Sequence, residues 1–147
     1  MRAILATFAL IFMVVLGGPA KAQDEPFGTF AVEKLPITPA VCTEVGELTS
    51  QAVGRMQTGS SDLDLIGDLS AMARRDINND VRYLAAMMTS SAIPHIRTRI
   101  NAPDVMALVK KIPGNSRVAA VGLDMKIKCS KLEGTTYDVP KRIKAKG

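Results

Sequence analysis

Two cysteines, one histidine and a pair of spaced aspartates are the residues of this chain whose side chains could do chemistry. Cys42 lies in "TPAVCTEVGEL", Thr38 to Leu48, and Cys129 closes "GLDMKIKC". A thiol in such a setting is a small buried hydrophobe, a nucleophile, a metal ligand or half of a disulfide. His95 is the sole imidazole, so metal sites built from two or three histidines of one chain, H-E-x-x-H helices included, are excluded. Ser90 and Ser91 precede His95, but no G-x-S-x-G turn presents either as a nucleophile. "DLDLIGDLSAMA", Asp62 to Ala73, matches a calcium loop at its first, third and sixth positions. It fails at the fifth, Ile66, and at the twelfth, Ala73, where a bidentate Glu belongs. Aspartates in the first turn of a helix account for the same pattern. Met56, Met72, Met87, Met88, Met106 and Met125 carry thioethers that suit cuprous copper. Most of them fall on apolar stripes, where methionine fills space. The expectation is a chain without catalytic, cofactor or metal residues.

The first 22 residues decide between the fates of the thiols. "MRAILATFALIFMVVLGGPAKAQ" has Arg2, an apolar run from Ala3 to Leu16, then Gly17, Gly18, Pro19 and an Ala20-Lys21-Ala22 cleavage motif. This is the layout of a secretory signal peptide cut after Ala22. The apolar run falls short of the about 20 residues that span a bilayer, and Gln23 stands where a lipoprotein would need a cysteine. The expected location is the periplasm or the exterior, with no transmembrane segment after cleavage. An oxidising compartment favours pairing of Cys42 with Cys129. On the chain-entropy account such a long loop stabilises the fold by roughly 4–5 kcal/mol at most.

What positions these residues is a series of helices. After an extended arm over 23–37 with Pro26, Gly28 and Pro36, Thr38 caps and Pro39 opens a helix whose stripe is Val41, Val45, Leu48, Ala52 and Met56, ended by Gly59. Cys42 borders that stripe. Ser61 caps a second helix with Asp62 and Asp64 in its first turn and Leu65, Leu69 and Met72 on its buried side. A third starts at Asn79 or Asp80 with Val81, Leu84, Ala85 and Met88, and Pro94 is expected to interrupt it, leaving a short piece through Ile96 and Ile100. Asn101 is expected to cap a fourth, stopped by Pro113-Gly114.

The segment around Cys129 reads two ways. Val121, Leu123, Met125, Ile127 and Cys129 alternate with Gly122, Asp124, Lys126 and Lys128, a period of two. Val118, Val121, Met125 and Cys129 also form a helical stripe, and the four preceding helices favour that reading. A strand would need Thr29 to Val32 or Thr135 to Val139 as its partner. The expected fold is all-α, about five helices over 38–132 stapled by one disulfide, with room for a minor β element near residues 121–139.

Charge is uneven in a chain of net +5. Lys126, Lys128, Lys131, Lys141, Arg142, Lys144 and Lys146 face only Glu133 and Asp138 beyond Met125. In the cytoplasm the tail over 133–147, ending "PKRIKAKG", would point to nucleic acid. Export redirects Lys141, Arg142, Lys144 and Lys146 towards anionic lipid or envelope polymer, against the simpler reading of a solvated terminus.

"VCTEVGELTSQAVGRMQTG" followed much later by "GLDMKIKC" resembles small exported bacterial helical proteins with an early and a late cysteine and an Arg, here Arg55, shortly before a Gly, here Gly59. More loosely, the layout is similar to periplasmic acid-stress chaperones, which implies a helical protein that opens in acid and holds unfolding clients. The wider cysteine spacing and the basic tail depart from that group. Three functions are carried forward: a non-enzymatic envelope binding or adaptor protein with a protein partner, an acid-activated holdase, and an inhibitor or immunity protein against an envelope-targeting enzyme.

Overall fold

The computed structural model describes residues 31–143. The signal peptide with its Ala22 cleavage site, most of the N-terminal arm, Lys144 and Lys146 lie outside the described residues. The order is β1 (Val32–Pro36), α1 (Pro39–Gln57), α2 (Asp62–Arg75), α3 (Asp80–Arg99), α4 (Pro103–Val109), a 3-10 turn (Pro113–Asn115), α5 (Arg117–Ser130) and β2 (Thr136–Pro140). The fold is all-α, with five helices and a small two-stranded sheet among the described residues, and carries the disulfide Cys42 to Cys129.

Local chemistry starts and stops the helices. The Thr38 hydroxyl accepts from Val41 N–H at 3.3 Å, Asn79 Oδ1 from Arg82 N–H, and Ser61 and Asp64 cap each other reciprocally. The end of α1 is a Schellman motif. Ser60 N–H donates to Arg55 O and Gly59 N–H to Met56 O, which puts Gly59 at φ 98°, a conformation that favours glycine. Asn101 is not the cap of α4: Ala102 occupies that position without a side-chain bond, and Asn101 instead accepts from Arg117 at 3.1 Å.

Pro94 does not interrupt α3, which runs unbroken from Asp80 to Arg99. A proline inside a helix costs about 3 kcal/mol. Ile93 and Ile96 on either side of it are wholly buried, and full burial of such side chains contributes about 1.5–3 kcal/mol each. Packing on both flanks therefore holds the two halves in one line.

The ambiguity at residues 117–130 resolves as helix. Period two would have buried Leu123 and Ile127 together with Val121, Met125 and Cys129. Leu123 and Ile127 are instead 38% and 45% exposed, while Val121, Met125 and Cys129 are in the core. Of the two segments offered as its strand partners, Thr135 to Val139 lies largely in β2, which runs antiparallel to β1, with Val32 opposite Pro140 and Pro36 opposite Thr136. Of Thr29 to Val32, Thr29 and Phe30 lie outside the described residues and Val32 opens β1. Ile37 N–H donates to Thr135 O and Lys141 N–H to Ala31 O. By antiparallel alternation, Pro36 and Pro140 then sit where backbone groups point away from the ladder, so neither removes a bond. Leu35 and Val139 face inward and are buried.

The helices pack around α1 and α3. One side of α1 lies on α5 and another on α3, α2 lies on α3, and α4 on α5. The α1–α5 crossing is close because both helices present glycine there. A Cβ on Gly122 would fall 2.7 Å from Gly46 O and 2.0 Å from Ser50 Oγ, and one on Gly46 would fall 3.1 Å from Gly122 O. The disulfide, with Cα atoms 5.3 Å apart, joins the same two helices and is buried, Cys42 at 0% and Cys129 at 4% exposure. At the other face of α5, Arg99 of α3 donates to Asp124 at 3.0 and 3.2 Å and also to Asp104 of α4. Lys128 adds a bond to Asp124 at 2.9 Å. Burial works to raise the Asp124 pKa, but the bonds from Arg99 and Lys128 outweigh it and hold the carboxyl below its ordinary value.

Candidate functional site

Helices α1 and α2 both pack on α3, and a cleft of about 280 Å³ lies between them. Its floor comes from the two helical stripes: Leu48 and Ala52 from α1, Leu65 and Leu69 from α2. These residues are 2–6% exposed, so they form a closed apolar base. Met72 and Ala71 of α2 form the wall at half-burial. The Arg55 guanidinium meets Asp68 at 2.5 Å across the gap and bridges one part of the rim. Arg75 stands at another part, exposed and without an ion-pair partner among the described residues.

This arrangement offers an apolar recess with one uncompensated cation beside it. Its volume lies at the lower edge of small-ligand pockets, which suits one or two side chains or a short apolar chain. A methionine wall is adaptable in shape, the property of surfaces that accept varied apolar partners. The site holds no nucleophile paired with a base. The acids near it are engaged: Asp68 with Arg55, Asp62 with Arg97 at 2.6 Å, and Asp64 with Ser61. The Ser61 hydroxyl and N–H hold the Asp64 carboxyl below its ordinary value.

The other candidate residues are dispersed. Cys42 and Cys129 are consumed in the disulfide. Ser90 is buried, Ser91 donates to Met88 O at 2.8 Å and contacts the Tyr137 hydroxyl, and His95 is exposed. Among the described residues no three His, Cys, Asp or Glu side chains gather as metal ligands, and no helix is long and apolar enough to cross a membrane.

Of the four tail cations, Lys141 is exposed and Lys144 and Lys146 lie outside the described residues. Arg142 is not a surface cation at all: its side chain is 1% exposed. It grips Glu33 of β1 through two bonds, at 2.9 and 2.6 Å. It also donates to Asp80 at 2.6 Å, at the start of α3, and to Ile77 O at 3.0 Å. The guanidinium lies 4.8 Å from the centroid of the Tyr83 ring, a cation–π distance. The Glu33 bonds raise its pKa further, so the group stays charged at every working pH. Arg142 ties the two-stranded sheet to the α2–α3 turn, which is a structural role.

The cleft residues Gln51, Arg55, Asp68, Ala71 and Arg75 carry no motif. The stripes that make its floor are legible in sequence; the gap between them depends on both helices choosing α3 as their neighbour. Comparison with protein-family models, with curated proteins and with solved structures finds no match to this chain.

Proposed function

We propose that this chain is an exported, non-enzymatic binding protein of the bacterial envelope that seats an apolar, acid-flanked segment of a partner protein in the α1–α2 cleft. The carrying observation is the cleft itself: a closed apolar floor between two helices fixed on a third, with the unpaired Arg75 at its rim. Apolar side chains of a partner helix or extended segment would fill the recess, and a neighbouring carboxylate would meet Arg75. The signal-peptide layout and the Cys42 to Cys129 disulfide support the envelope location. The intact mass of secreted or periplasmic material should match a chain that begins at Gln23, with or without loss of ammonia from that N-terminal glutamine, and reduction should add about 2 Da to it. A photo-crosslinking residue at Gln51, on the cleft, should give a discrete adduct in living cells that the same residue at exposed Lys131 does not give. Identical patterns from both positions would reject the cleft.

A second reading, the acid-activated holdase, draws on the carboxylates that join elements: Asp124 and Asp104 at Arg99. Both are held below the ordinary carboxylate range, with burial opposing the Arg99 and Lys128 bonds at Asp124 and the Arg99 bond leading at Asp104. Stability from such groups is present above their unfolded pKa and is lost as pH falls through the depressed folded one. Release of the apolar interior would then come only in strong acid. Light scattering of a denaturing client between about pH 2 and 3, unchanged by this protein, would sink that reading.

A further inference from the structure

On the side of the molecule formed by α1 and α5, the glycine crossing leaves a shallow open groove of about 210 Å³. Gly46, Gly122, Ser50 and Ala119 are among the small residues that line it, and the two glycines bring the helices close together beneath it. Leu123 lines the groove at 38% exposure, and Ile127, one turn further along α5, is 45% exposed. Both side chains are thus exposed beside the line where α5 packs on α1.

The two walls carry opposite charges. Glu47 stands on the α1 wall and Lys126 on the α5 wall, and neither has a hydrogen-bond or ion-pair partner among the described residues. An isologous interface requires one patch to supply both halves of every contact. This patch does so: it holds a recess and an apolar knob that could fill it, and an acid and a base that could answer each other. A partner of different sequence would need only one of each. From this self-complementarity we infer that the α1–α5 face is a two-fold contact between copies of this chain. Leu123 and Ile127 of each copy lie in the groove of the other, and Glu47 of one copy pairs with Lys126 of its mate. The patch is small for an obligate dimer, so the association is concentration-dependent. It uses the side of α1 turned away from α2, which leaves both clefts of the dimer open.

Sedimentation equilibrium of the oxidised, exported chain over a micromolar to millimolar range tests this. The expected result is a monomer–dimer equilibrium at the upper concentrations. Leu123→Glu should abolish it and Glu47→Lys should weaken it at least tenfold, since two cations would then face each other across the contact. Combining Glu47→Lys with Lys126→Glu should restore it to within about threefold, because the pair is reversed rather than removed. Circular dichroism and thermal unfolding confirm that each variant is folded; Ile127→Glu replaces Leu123→Glu should the latter unfold. A native chain that stays monomeric throughout, a dimer indifferent to both glutamate variants, or a double swap no better than the single one would overturn the inference.

Discussion

Helix α1 meets its neighbours in two opposite ways. Against α5 it is closed: Gly46 and Gly122 let the backbones approach, and Cys42 to Cys129 fixes the crossing covalently. Against α2 it leaves a recess, with Leu48, Ala52, Leu65 and Leu69 closing the floor of a cleft between the two helices. The same amphipathic helix thus builds a rigid joint on one side and an unfilled recess on the other. The difference lies in what each neighbour packs on, since α5 lies on α1 whereas α2 lies on α3. A cleft of this kind keeps its shape because the helix forming one wall is anchored elsewhere.

The closed side should be the more sensitive to change. Replacing both cysteines with alanine, or reducing the disulfide, is expected to cost up to about 4–5 kcal/mol by urea unfolding. Gly122→Ala should cost about 2–3 kcal/mol, because its new methyl meets the Gly46 carbonyl. Gly46→Ala should cost less than half of that, its nearest contacts being 3.1 Å away. On the same helix, Gly54 has open space around its missing Cβ, so Gly54→Ala should stabilise by about 0.5–1 kcal/mol. If Gly122→Ala and Gly54→Ala shift stability equally, the close crossing is not the source of rigidity.

Away from α1, Arg142→Ala should cost about 2 kcal/mol. That is below the range for a fully buried pair, because Glu33 and Asp80 keep contact with water. Asp124→Asn should cost about 1–2 kcal/mol at neutral pH. Its stability curve should converge with the native one as pH falls below the ordinary carboxylate range, where the native Asp124 also loses its charge. At the open side, Ala71→Phe should change stability by no more than about 0.5 kcal/mol, since it fills empty space at a half-buried position.

What could be read in the sequence follows the range of the interactions involved. Thr38, Ser61 and Asn79 act within three residues of themselves, so the starts of α1, α2 and α3 are legible. Asn101 looks identical in sequence but bonds to Arg117, 16 residues on and beyond α4, which local pattern does not record. Pro94 carries a breaking signal that burial of Ile93 and Ile96 overrides. Arg142 sits in a uniformly basic run, yet Glu33 lies 109 residues away and Asp80 62. The arm over 23–37 and the tail over 133–147 thus supply the two strands of a sheet, Val32–Pro36 and Thr136–Pro140; sequence offers Thr135 to Val139 as a strand, but as a partner for the segment at Cys129 rather than for the arm. The helix stripes that floor the cleft are visible in sequence, whereas the cleft between α1 and α2 depends on how three helices pack together.

Whether the cleft seats a partner is decided by photo-crosslinking from Gln51 in cells carrying the native chain, Ala71→Phe or Arg75→Glu. The expected result is a discrete adduct with the native chain, its loss when Ala71→Phe fills the recess and a weaker band when Arg75→Glu reverses the rim charge, all at unchanged protein level. An adduct of equal strength in all three, or none in the native chain, would contradict a partner site in the cleft.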